Sequence, residues 1–144
     1  MGKYNNILVA YDGSELSKKA LHVAAALLEG STEGQLTIVT VWQFPNLGGD
    51  GAMLDIGRIM EELKNHGQLL LDEAADQVKD RAFPVNTVLL HGHPSTEIID
   101  YAEQEKVDLI VMGNRGLNGV QRLFLGSVSH RVVQEAPCDV LVVK

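Results

Sequence analysis

The sequence predicts an α/β fold, a doubly wound parallel sheet of five strands with helices on both faces. Three observations carry this. Short β-rich runs alternate with helical patterns from one end of the chain to the other, which implies right-handed βαβ crossovers. The first run, Ile7-Leu8-Val9-Ala10-Tyr11, is apolar throughout, as expected of a strand covered on both faces. Turn and cap residues fall where the two periods change over. The architecture suggests strand order 3-2-1-4-5, an expectation of the fold class that no single residue dictates.

After the first run, Asp12-Gly13-Ser14 breaks the pattern, and Ser14 is placed to cap a helix with Leu16, Ala20, Val23, Ala24 and Leu27 on one face. Gly30 and Gly34 bracket its end. Leu36 to Trp42 is the second strand, rich in β-branched residues. Residues 43–52, "QFPNLGGDGA", read as a loop of a length that is often functional. Ile56, Ile59, Met60, Leu63, Leu70, Ala74 and Val78 then recur at helical spacing to about Arg81. Pro84 closes that segment and Val85 to Leu90 forms the third strand. His93 and Pro94 start the third helix, with Pro94 at the first helical position. Val107 to Met112 is the fourth strand, Gly113 to Leu125 a glycine-rich connection, Gly126 to Ala136 the fourth helix, and Val140 to Val143 the fifth strand. One domain is expected over residues 1–144.

Composition excludes several function classes. The net charge is −7, from 12 basic and 19 acidic side chains, so neither nucleic acid nor an anionic membrane is an expected partner. Cys138 is the only cysteine, which fits a reducing compartment, and it reads as an inert small hydrophobe opening the last strand. No opening apolar segment has the length of a signal peptide or membrane span, so a cytoplasmic location is expected. His91 and His93 stand two apart with no third ligand at suitable spacing, so no metal site is expected. His130 and Arg131, on the first turns of the last helix, suit solvent or a nearby phosphate. A phospho-accepting aspartate is absent from the end of the third strand, "LLHGH", which rules out a response-regulator reading.

The stretch from Gly113 to Ser127 is the chemical signature of the chain. Gly113 and Gly116 allow a tight turn and close backbone approach, while Gly126 and Ser127 open a helix whose unpaired N–H groups favour an anion. The Ser127 hydroxyl suits a helix cap or a phosphate oxygen. No lysine follows Gly126, so this is not a Walker loop, and "YDGSE" after strand one lacks the glycines of a dinucleotide fingerprint. Asp12 fits either a ligand contact or a turn residue bonded to its own backbone.

The spacing Gly113, two residues, Gly116, nine residues, Gly126-Ser127 resembles the glycine motif of ATP-binding universal stress proteins. "ILVAYDGSELSKKAL" is similar to that family's opening strand and helix, "GHPSTEIIDYAEQEKVDLIVMGNRG" to its third helix and fourth strand, and "LGSVSHRVVQEAPCDVLVV" to its ending. Ala10 stands where the family often has proline.

The resemblance implies a Rossmann-like fold of the adenine nucleotide alpha hydrolase kind. It implies ATP as the cofactor, with Mg as its counter-ion, and Asp12 beside adenine and ribose, flanked by Ala10 and Tyr11. The Val41 backbone would meet the base. Met112, Gly113, Gly116, Gly126, Ser127, Val128 and Ser129 would surround ribose and phosphates, with Arg115 neutralising phosphate charge. It also implies a homodimer through Val140–Val143. No dedicated acid–base pair stands near the motif, so no catalytic residue is assigned. A nucleotide-dependent stress-response regulator is the expected role. Slow ATP hydrolysis or self-phosphorylation at Ser127 or Ser129 is one alternative, and a nucleotide-free protein-interaction module is another.

Overall fold

The computed structural model describes residues 4–44, 55–114 and 126–144. In chain order the elements are β1 (Asn6–Ala10), α1 (Glu15–Leu28), β2 (Gln35–Trp42), α2 (Ile56–Gln77), β3 (Val85–His91), α3 (Pro94–Gln104), β4 (Leu109–Gly113), α4 (Ser127–Glu135) and β5 (Asp139–Val143). All five strands form one parallel sheet in the order β3-β2-β1-β4-β5, as the fold class requires.

The period-two alternation of a strand divides the core into two layers. Ile7, Val9, Leu36, Ile38, Leu109 and Val111 face one way, against Leu21, Ala24 and Leu28 of α1 and Leu71 and Ala74 of α2. Leu8, Val39, Ile110 and Met112 face the other way, against Ile98 and Ala102 of α3 and Val132 of α4. Strand β1 therefore needs apolar side chains at consecutive positions, and Ile7, Leu8 and Val9 are all fully buried. Each such side chain contributes about 1.5–3 kcal/mol by leaving water.

Capping follows the sequence closely. The Ser14 side chain accepts from Ser17 N at 3.2 Å, and Pro94 occupies the first turn of α3 behind His93. Asp55 accepts from Arg58 N and starts α2. Several boundaries differ from expectation. Tyr11 lies just past β1, α2 ends at Gln77 short of Arg81, and β4 begins at Leu109. Before Leu109, Asp108 takes hydrogen bonds from the backbone of Asn5 and Asn6 at 3.0 and 2.9 Å, joining the starts of β1 and β4. Cys138 precedes β5, which lies at the sheet edge with Asp139 and Leu141 exposed and Val140 and Val142 half-buried on the other face. The loop expected at 43–52 lies largely outside the described residues.

Candidate nucleotide site

Strands β1 and β4 are neighbours, with Val9 level with Val111. The chain leaves β1 for a helix on one face of the sheet and leaves β4 for a helix on the other. A crevice opens where such connections diverge, beyond the carboxyl ends of the strands. Of the residues expected in the site, Ala10, Tyr11 and Asp12 lie on its β1 side, Val41 at the end of β2, and Met112 and Gly113 at the end of β4. Gly126 to Ser129 open α4, whereas Arg115 and Gly116 fall outside the described residues.

The Tyr11–Asp12 turn is held on every side. Tyr11 N donates to Val39 O at 2.9 Å, and Tyr11 O accepts from the buried Thr40 hydroxyl at 2.8 Å. The Tyr11 phenol donates to Glu73 and accepts from Gln77, both at 3.2 Å, tying the turn to α2. Burial, with Glu73 and Asp12 nearby, pushes the phenol above its ordinary pKa, against the Gln77 bond. Asp12 N donates to Ser17 Oγ, and Asp12 Oδ1 accepts from Ser14 N at 2.9 Å. Asp12 thus makes the turn bond expected of an aspartate here, and its carboxylate is partly exposed. Gly13 follows at φ +84°, where a Cβ would come within 2.9 Å of Leu70. The left-handed conformation calls for glycine, whereas the tip of Leu70 is a flexible neighbour that could shift.

The end of β2 presents main chain to the crevice. In a parallel ladder, a residue turns its own N–H and C=O to the same neighbour, and successive residues alternate between neighbours. Gln35 N bonds Asn5 O and Val39 O receives Tyr11 N, so odd-numbered residues face β1. Leu36 N bonds Pro84 O and Trp42 O receives Gly92 N, so even-numbered residues face β3. Val41 therefore directs its N–H and C=O toward β1, past the point where that strand has turned away. Among the described residues, no hydrogen bond joins Val41 N to Tyr11 O; that carbonyl is engaged by Thr40.

The far wall is the start of α4. Its N-cap is Gly126, with no side-chain cap hydrogen bond, so Ser127 is the first helical residue and does not cap the helix. Ser127 is exposed, Val128 half-buried and Ser129 buried. A glycine cap leaves the first N–H groups of the turn facing the crevice. Ser129 Oγ donates to Asn114 O at 2.6 Å and Gly126 N donates to the same oxygen at 2.8 Å, which fixes α4 to the end of β4. Asn114 itself is buried, and among the described residues its Oδ1 has no hydrogen-bond partner.

Other polar candidates are engaged elsewhere. His91 stacks on Trp42 with ring centroids 4.0 Å apart, and His93 Nδ1 lies 3.0 Å from Ser95 Oγ. Arg131 donates to Ser95 and Thr96 of α3 and to Glu135 of its own helix. His130 is exposed. Burial and the neighbouring Asp139 and Asp108 push the Cys138 thiol above its ordinary pKa. Among the described residues no three His, Cys, Asp or Glu side chains are grouped to hold a metal ion, and no helix is long and apolar enough to cross a membrane.

Thr40 and Ser17 shape the site without a local signature in the sequence. A threonine in a β-branched run reads as strand propensity, and the partner of its hydroxyl lies 29 residues away. A buried hydroxyl near a strand's carboxyl end was the available signal, since it demands an acceptor.

Comparison with known proteins identifies the family. The model of the universal stress protein family matches residues 3–144. Universal stress protein YxiE of Bacillus subtilis is 34% identical, over 98% of this chain and 99% of the relative. The structure of universal stress protein UspA from Lactobacillus plantarum superposes with a TM-score of 0.84 at 27% identity, covering 100% of both chains. A universal stress protein solved in complex with cAMP superposes with a TM-score of 0.73 at 27% identity, covering 98% of this chain and 97% of that one. On the family match and the YxiE likeness together, the chain belongs to the universal stress protein family.

Proposed function

We propose that this chain is an ATP-binding universal stress protein, a nucleotide-dependent regulator of the stress response that works as a cytoplasmic homodimer. The observation that carries the reading is the crevice between β1 and β4, with an uncapped helix start on one side and the Val41 main chain on the other. The N–H groups of α4 suit phosphate oxygens, and the helix dipole favours their charge. Val41 offers a donor and an acceptor side by side, matching adenine, which places the N1 acceptor next to the N6 amine. Asp12 then meets the ribose, with Ala10, Tyr11, Met112 and Gly113 lining the strand ends and Gly126, Ser127, Val128 and Ser129 the phosphate end. Arg115 and Gly116 complete the glycine motif between them. The cAMP complex of the related protein supports an adenine nucleotide.

Binding rather than turnover is the proposed output. Ser129 is buried and its hydroxyl donates to Asn114 O, so self-phosphorylation would fall to the exposed Ser127. Calorimetric titration with ATP and magnesium tests the proposal: one saturable site per chain is the expected result. No heat, after removal of any nucleotide carried through purification, would leave the interaction-module reading in its place.

A further inference from the structure

The geometry points to Thr40 as the positioning residue that keeps the Val41 main-chain edge open to a ligand, an inference that rests on the nucleotide reading above. By the alternation of the ladder, the next bond after Tyr11 N to Val39 O would run from Val41 N to Tyr11 O. That bond would extend the β1–β2 pairing by one rung and withdraw the Val41 donor from the crevice. Instead, Tyr11 O accepts from the Thr40 hydroxyl at 2.8 Å. Thr40 is 5% exposed, and its methyl lies 3.8 Å from where a Cβ on Gly67 of α2 would stand. Packing against α2 thus holds the rotamer that points the hydroxyl at Tyr11. A buried carbonyl needs a donor, and here a side chain supplies it, leaving the main-chain N–H of Val41 for the base.

Thr40→Val keeps the shape and removes the donor; Thr40→Ser keeps the donor; Thr40→Ala is a second, smaller variant lacking it. In nucleotide-free protein, amide hydrogen exchange read by NMR should show Val41 exchanging fast in wild type and Thr40→Ser. In Thr40→Val and Thr40→Ala it should slow by about tenfold or more, because the freed Tyr11 carbonyl takes the Val41 N–H. ATP affinity should fall about tenfold in Thr40→Val and stay within about threefold of wild type in Thr40→Ser. For 1-deaza-ATP, which lacks the acceptor that Val41 N–H would meet, wild type and Thr40→Val should bind alike.

Equal Val41 exchange in all four proteins, or protection already present in wild type, would overturn the inference. So would an equal loss of affinity for ATP and 1-deaza-ATP, since that marks a merely structural role. If wild type binds no ATP, the nucleotide reading falls, and the exchange comparison alone decides whether Thr40 holds the edge open.

Discussion

Tyr11 shows how one side chain is fastened to its surroundings through every polar group it owns. Its backbone joins β2 and its phenol joins α2, so the turn that carries Asp12 moves only if two other elements move. Burial raises the phenol pKa above its ordinary value, so the folded state holds the proton longer than the unfolded chain. The sign follows from linkage: this contribution is fully present below the unfolded value and is lost as pH rises through the folded one. Urea unfolding between about pH 9 and pH 11 should therefore show wild type losing stability more steeply than Tyr11→Phe, which has no phenol proton to lose. Equal slopes would mean that the phenol carries no share of the alkaline loss. At neutral pH the same variant should be less stable by about 0.5–1.5 kcal/mol, having lost the bonds to Glu73 and Gln77.

Among the elements, helix starts were the most legible features of the sequence, because a cap is a local event. Ser14 and Pro94 sit within a few residues of the groups they serve, and both perform as their positions predict. Replacing Ser14 by alanine should lower stability by about 1 kcal/mol in thermal or urea unfolding. The Asp12 turn should be little affected, since the Ser14 N–H that Asp12 accepts and the Ser14 carbonyl that takes the Ser17 hydroxyl are main-chain groups that alanine keeps. Less legible were helix ends and strand starts. The helical periodicity of α2 continues through Val78, yet the helix stops at Gln77, where the chain must turn to enter β3. Val107 and Asp108 look like strand, but the Asp108 side chain is occupied with the backbone of Asn5 and Asn6. Both outcomes depend on partners far away in sequence. The Thr40 bond, the Ser129 bond and the buried Asn114 belong to the same class, because hydrophobic period and propensity carry no record of which acceptor a hydroxyl will meet.

At the scale of the whole molecule, the order of the strands leaves β5 with one unpaired side among the described residues. Leu141 is 37% exposed there and Leu27 of α1, on the same groove, is 43% exposed. Edges of this kind are commonly covered, and a two-fold partner is one way to do so. The proposed dimer through β5 makes a direct expectation: Leu141→Lys should shift the mass measured by light scattering from two chains to one. A wild-type protein already monomeric at tens of micromolar would remove the dimer from the proposal. Strand order has a further consequence, for the chain while it is being made. The central strand β1 pairs on one side with β2, which follows soon after it, and on the other with β4, where Ile7 meets Leu109 from far along the chain. Until Leu109 to Gly113 have left the ribosome, a nascent chain can assemble β1, β2 and β3 only as a sheet whose most apolar strand is its open margin. Such a margin attracts other strands. Protection of the half-made protein thus falls to chaperones or to speed of synthesis, and the last third of the sequence acts, in time, as the cover for the first.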